Sequence, residues 1–81
     1  MTWAALPSEV RDIAARELTA KQREAWELEL AGYGMTRIGR KLEITKGAAM
    51  ARIDGAHLKL RKAGVRQDEF GKWSVEQEEA A

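Results

Sequence analysis

The chain has no cysteine and one histidine, and its single proline stands at position 7. Without cysteine there is no disulfide framework, no thiolate nucleophile and no thiolate metal site. That usage suits a reducing compartment, and a cytoplasmic location is the expectation. His57, with no cysteine or second histidine beside it, cannot make a metal site by itself. No metal and no other cofactor is expected. Ser8 and Ser74 have no base near them in sequence, and the carboxylates are spread as helix-surface charge or gathered near the C-terminus. Nothing there assembles a nucleophile, a base and an oxyanion donor, so the expectation is a protein that is not an enzyme. No apolar run approaches the roughly 20 residues of a membrane span. The opening MTWAALPSEVRD has neither a basic start nor a long apolar stretch and does not read as a signal peptide. Strand-like alternation, internal repeats and low-complexity tracts are missing as well.

What the 81 residues do contain is one domain at most, with a core small enough to gain from a partner or from oligomerisation. Charge is unevenly placed. Between residues 36 and 66, Arg37, Arg40, Lys41, Lys46, Arg52, Lys59, Arg61, Lys62 and Arg66 stand against Glu43 and Asp54, a net of +7. Between 67 and 81, Lys72 stands against Asp68, Glu69, Glu76, Glu78 and Glu79, a net of −4. A basic block beside an acidic tail points to a polyanion-binding surface with a solubilising or competing tail. The alternative is a helix-rich surface whose charges are simply solvated.

Hydrophobic spacing predicts an all-α chain, a compact bundle of four to five helices. Ser8 is the expected N-cap of the first, with Glu9 at the positive end of its dipole; Val10, Ile13 and Ala14 share one face, and the helix ends near Leu18. Thr19 and Gln22 have the spacing of a capping box. The second helix then runs to about Ala31, with Ala25, Trp26 and Leu28 to Leu30 on its buried side and Glu24, Glu27 and Glu29 outward. Gly32-Tyr33-Gly34 stops it. A short third helix runs from Met35 or Thr36 to Leu42, with Ile38 and Leu42 as core positions and Gly39 allowing close packing. Glu43-Ile44 is the turn, and Thr45 caps a fourth helix whose Ala49, Ile53, Ala56 and Leu60 form one apolar stripe. Gly64 is its C-cap, and Gly55 marks a bend or a close helix contact. A helical domain over residues 1–66 is expected, with a helix-turn-helix at about 36–62. Residues 67–81 read as an acidic tail, partly disordered or a short helix that pairs Phe70 with Trp73 over one turn. Trp26 is expected in the core, Trp3 as a lid or a subunit contact, and Tyr33 in the core with its hydroxyl at the surface.

From Leu18 to Leu60 the chain resembles region 4 of bacterial sigma factors and the related LuxR-type helix-turn-helix domains. Leu18-Thr19-Ala20-Lys21-Gln22-Arg23-Glu24 matches L-T-x-x-Q/E-R-E, and Gly32 matches the glycine that follows. Ile38 to Gly47 (IGRKLEITKG) matches I-A/G-x-x-L-x-I-S/T-x-G. Arg52-Ile53, Ala56 and Lys59-Leu60 fit R-L-x-x-A-x-x-K-L. The match is gapless and covers about half the chain. It departs from the family at Arg37, where a Glu is frequent, at Ala48-Ala49, where Thr-Val is usual, and at Met50, where a polar or basic residue is usual. The larger parts of a sigma factor, which bind core polymerase and open promoters, have no counterpart, so a stand-alone small protein of bacterial or phage type is expected.

The resemblance implies that the third and fourth helices dock on double-stranded DNA, the fourth offered to the major groove. Thr36, Arg37, Arg40, Lys41, Thr45, Lys46, Gly47, Ala48, Met50, Arg52 and Lys59 are then the expected nucleic-acid-binding residues. Base readout needs bidentate donors and acceptors, and near the start of the fourth helix only Lys46 and Arg52 supply charged donors. Ala48, Met50 and Ala51 can touch at most thymine methyls, and Asp54 repels phosphate. Arg40, Lys41, Lys59, Arg61 and Lys62 suit phosphate contacts, which fix orientation without reading sequence. The helix starts at Thr36 and Thr45 can add backbone N–H donors. Transcription regulation by a homodimer is the leading expectation. A second is a protein-interaction module, since sigma region 4 also grips a helix of the RNA polymerase β subunit. A third is the DNA-recognition subunit of a phage terminase, for which Phe70 and Trp73 are the hint.

Overall fold

The structure, a computed structural model, describes residues 2–76. A single 3-10 turn, Trp3–Ala5, leads into helices α1 (Ser8–Glu17), α2 (Ala20–Leu30), α3 (Met35–Leu42) and α4 (Lys46–Lys62). A small antiparallel hairpin follows, β1 (Val65–Gln67) with β2 (Trp73–Val75), in the register Val65 to Val75, Arg66 to Ser74 and Gln67 to Trp73. The fold is therefore mostly helical.

Each helix boundary has a local cause. α1 starts one residue earlier than its sequence suggests: Pro7 holds the N-cap position, and its carbonyl accepts the Arg11 N–H at 3.1 Å. Ser8 is already helical and makes no capping bond. Proline's fixed φ suits the entry to a helix, so the turn forms without a hydroxyl. The capping box of α2 is complete, Gln22 N–H donating to Thr19 Oγ1 at 3.1 Å and Thr19 N–H to Gln22 Oε1 at 3.1 Å. Gly32 ends α2 at φ 98°, the left-handed conformation that glycine adopts without a Cβ clash. Thr45 Oγ1 accepts from Ala48 N–H at 3.0 Å and starts α4.

Three residues, Glu43 to Thr45, join α3 to α4. Ile44 N–H donates back to the Gly39 carbonyl at 2.9 Å. A Cβ on Gly39 would lie 2.9 Å from the Ile44 carbonyl oxygen, so the glycine lets the connection fold back onto the helix it leaves. Glu43 carries the reversal with φ 57° and ψ 43°, a left-handed conformation that costs a non-glycine residue about 1–2 kcal/mol. Gly55 faces α2, where a Cβ would meet the Gln22 side chain at 2.7 Å; it marks a close helix contact.

The core is assembled around Trp26, which has no exposed surface. Trp3 packs against it edge to face, ring centroids 6.0 Å apart, and Trp73 does so at 5.7 Å. Leu6, Val10, Ile13, Ala14 and Leu18 close the α1 side, and Ile38 closes α3. Ala49, Ile53, Ala56 and Leu60 bury the predicted stripe of α4. The segment after α4 departs from the helical or disordered reading as far as residue 76. Trp73 lies in β2 and reaches into the core, while Phe70 sits at the hairpin tip, 87% exposed, so the two do not pack as one helical turn. Asp68 organises that tip: its Oδ1 accepts Phe70 N–H and Lys72 N–H, each at 2.9 Å. Gly64 closes the base, because at φ 93° a Cβ there would lie 2.7 Å from the Glu76 carbonyl. The rest of the expected acidic tail, residues 77–81, lies outside the described residues.

Two stability predictions follow from this packing. Among the described residues the indole N–H groups of Trp26 and Trp73 are buried with no hydrogen-bond partner, so the contacts Trp73 makes there are apolar. Trp73→Phe should cost less than about 1.5 kcal/mol in urea unfolding, and Trp73→Ala about 3 kcal/mol; equal losses would show that ring packing is not what Trp73 supplies. Glu43→Gly, which relieves the left-handed residue, should raise unfolding stability by about 1 kcal/mol, and a loss would show that the Glu43 side chain holds the turn.

Candidate nucleic-acid interface

α3 and α4 carry all the residues named above for nucleic-acid contact except Thr45, which sits between them. On α3, Thr36, Arg37, Arg40 and Lys41 are exposed. Gly34 occupies the N-cap of α3 and offers no side chain, so the first N–H groups of that helix have no side-chain cap. Thr45, by contrast, has already committed its oxygen to Ala48 N–H. On α4, Lys46, Gly47 and Met50 are exposed, whereas Ala48, Arg52 and Lys59 are half-buried. With Gly55 these last three recur at helical spacing as one flank, the flank on which Gly55 abuts Gln22 of α2. The outward face of α4 is instead Gly47, Met50, Ala51, Asp54, Leu58, Arg61 and Lys62. Its apolar part is substantial, with Met50 43% and Leu58 52% exposed.

The electrostatics divide the molecule. Arg16 pairs with Glu17, Arg23 with Glu27 and Arg66 with Glu76, at 3.4, 3.2 and 3.1 Å. Among the described residues no carboxylate lies within ion-pair distance of Arg37, Arg40, Lys41, Lys46, Arg52, Lys59, Arg61 or Lys62. Lysines and arginines on α1, α2 and the hairpin are partly neutralised, and among the described residues those on α3 and α4 meet no acid.

Two of these cations find a ring. Arg37 Cζ lies 4.6 Å and Lys41 Nζ 4.8 Å from the Tyr33 centroid. Each such contact contributes about 0.5–1 kcal/mol at an exposed site. Like charges at i,i+4 repel by only about 0.2–0.5 kcal/mol, so contact with the ring outweighs that repulsion. Tyr33 is half-buried and packs on the core, as its sequence position suggests, but its ring also faces charge. The spacing 33, 37, 41 was the available signal, obscured because Tyr33 precedes the helix that carries the other two.

Sequence reasoning also misses a bond between elements. His57 Nε2 and Glu29 Oε1 are 2.7 Å apart, tying α4 to α2. Glu29 is half-buried in this pair and is not the solvated outward charge its helix position suggests. The hydrogen bond to Glu29 raises the His57 pKa above the ordinary 6.5; burial opposes it, the charges of Glu29 and Asp54 assist, and Arg61 opposes. Beside it, a cleft of about 260 Å³ between α4 and the hairpin is lined by His57, Leu60, Arg61 and Trp73 among others. Among the described residues no cluster of three or more His, Asp or Glu side chains could hold a metal ion, and no helix is long and apolar enough to cross a membrane.

With this geometry in hand, the chain matches no family model, no curated protein and no solved structure.

The His57–Glu29 pair sets a pH dependence. Because the folded-state pKa is raised, the pair stabilises the fold fully below about pH 6.5, the unfolded histidine value. That contribution fades as pH rises through the higher folded value. Urea midpoints should therefore fall between pH 6 and pH 8.5, and Glu29→Gln should flatten that slope. A slope unchanged by Glu29→Gln would assign the dependence to another group.

Proposed function

We propose that this chain is a small helix-turn-helix protein that docks α3, the turn and α4 on duplex DNA, in bacterial or phage transcription regulation. The observation that carries the reading is the set of lysines and arginines on α3 and α4 that meet no acid among the described residues, beside helices whose cations are partly paired with acids. Duplex DNA is a polyanion, and unpaired lysines and arginines displace its condensed counterions. The uncapped start of α3 and the sigma-region-4-like sequence from Leu18 to Leu60 support the same docking surface. The outward face of α4 offers few bidentate groups, so affinity rests on phosphate contacts and intrinsic base selectivity is low. A homodimer, which doubles the contacted site, fits a reading head of this kind.

A second reading is favoured by one observation. Met50, Ala51 and Leu58 lie outward on α4, an apolar strip suited to a protein partner such as RNA polymerase. Retention of polymerase from a nuclease-treated bacterial lysate would support it. The terminase-like reading loses half its hint, since Trp73 packs on the core.

The DNA reading is tested by fluorescence anisotropy with random-sequence duplex at low and moderate salt. Binding should weaken steeply with salt, with a log–log slope of about 0.9 per phosphate neutralised. Charge reversal at Arg40, Lys46 and Arg52 together should abolish binding at low salt, with the fold checked by circular dichroism. A folded triple variant that binds as tightly as the parent would show that the docking surface lies elsewhere.

A further inference from the structure

We infer that Tyr33, Arg37 and Lys41 form a clamp for a backbone phosphodiester, in which Tyr33 is a positioning residue that holds two cations ready for one anionic group. The inference rests on the duplex-DNA reading above and assigns part of that surface a specific ligand and mechanism.

The argument starts from where the two cations are. Arg37 and Lys41 stand one helical turn apart on α3, both exposed. Each lies within 5 Å of the same ring centroid, at 4.6 and 4.8 Å. Elsewhere in the molecule a cation over a ring also has a carboxylate: Arg23 sits 4.3 Å from the Trp3 centroid and bonds Glu27 at 3.2 Å. Arg37 and Lys41 have the ring and, among the described residues, no acid. A tyrosine ring attracts cations without neutralising them, so full charge stays on both groups while their rotamer freedom falls. Tyr33 is fixed in turn: Gly32 in the left-handed conformation delivers it, its N–H donates to the Leu28 carbonyl at 3.1 Å, and the residue packs on the core.

A guanidinium beside an ammonium suits an anion with several oxygens. Arginine presents its fork to two oxygens, and lysine adds a point charge from one side. A phosphodiester satisfies both. The exposed, open placement favours a phosphate of a polymer, which is held by other contacts along the same chain, over a free phosphate ion held by these two groups alone.

The test is a double-mutant cycle on duplex binding, read by anisotropy at several salt concentrations with the full chain. Tyr33→Leu keeps an apolar side chain in the core but removes the ring. It should weaken binding roughly five- to tenfold, because both cations must then be ordered on binding, and leave the salt slope unchanged because no charge is lost. Arg37→Ala and Lys41→Ala combined should lower the slope by about 0.9, the loss of one neutralised phosphate. In the Arg37→Ala/Lys41→Ala background, Tyr33→Leu should then have less than a twofold effect. Tyr33→Phe, which keeps the ring, should stay within twofold of the parent, and thermal melts of each variant separate binding loss from unfolding. An equal loss from Tyr33→Leu with and without the two cations would overturn the clamp and leave Tyr33 a packing residue. So would an unchanged affinity in the Tyr33→Leu chain. Competition by inorganic phosphate at millimolar concentration against duplex, lost with Arg37→Ala/Lys41→Ala, would assign the site to free phosphate and overturn the preference for a polymer. If the unmodified chain fails to bind duplex at low salt, the DNA reading itself falls and the clamp with it, a result seen before any variant is made.

Discussion

Trp26 is the constraint on which the other elements depend. It is the largest fully buried side chain, at the centre of α2. A small domain has little apolar area with which to offset chain entropy, and one indole concentrates much of it at a single point. The edge-to-face contacts of Trp3 and Trp73 bring the start of the described chain and the hairpin after α4 to that same point. Aromatic pairs of this geometry contribute about 0.5–1.5 kcal/mol beyond the area they bury. Two of them amount to a large share of the margin by which a domain of this size is stable. The 3-10 turn and the hairpin are too short to persist alone; the tryptophan column is what gives them a place.

A second constraint sets the relation of α3 to α4. Gly39 allows the Ile44 carbonyl to approach the helix backbone, and Glu43 accepts a left-handed conformation so that Thr45 can cap the next helix. All three features lie in backbone and cap geometry, and none depends on a charged pair. The basic side chains of α3 and α4 are therefore carried in fixed relation to each other by turn chemistry and apolar packing, with no call on their own charges. Under the proposed reading, that independence lets the charges meet an outside ligand without loosening the fold.

Features written in neighbouring residues were legible in the sequence. Thr19 with Gln22, Thr45, Gly32 and Gly64 act within three or four positions, and the Ala49–Leu60 stripe repeats over the whole of α4. The hairpin was not legible, because strands of three residues hold too few alternations to show a period and its anchor, Trp73, meets a partner far away in the chain. The same holds for His57 and Glu29, on different helices. Ser8 misled because a serine after proline reads as a cap, while proline itself had already set the helix entry. At the candidate interface the basic residues were legible as charge, but their pairing was not. Which cations meet an acid and which meet a ring is decided by how the helices pack.

That division of charge also bears on how the proposed surface would discriminate among sequences. Between Lys46 and the last turn, the residues of α4 that point outward are small, apolar or, at Asp54, acidic. Arg52, the one arginine near the start of that helix, is partly covered on its flank. A major groove facing such a helix meets methyl-sized surface and few donors, so direct readout contributes little there. Phosphate contacts from α3 and the ends of α4 would then set orientation and affinity together. In such an arrangement selectivity comes from the shape and deformability of the duplex or from the spacing of two copies on one site. The apolar strip on α4 that weakens base readout is the same surface that a second protein would cover. One helix face therefore cannot serve a groove and a protein partner at once, and a partner bound there would leave the cations of α3 to hold the DNA alone.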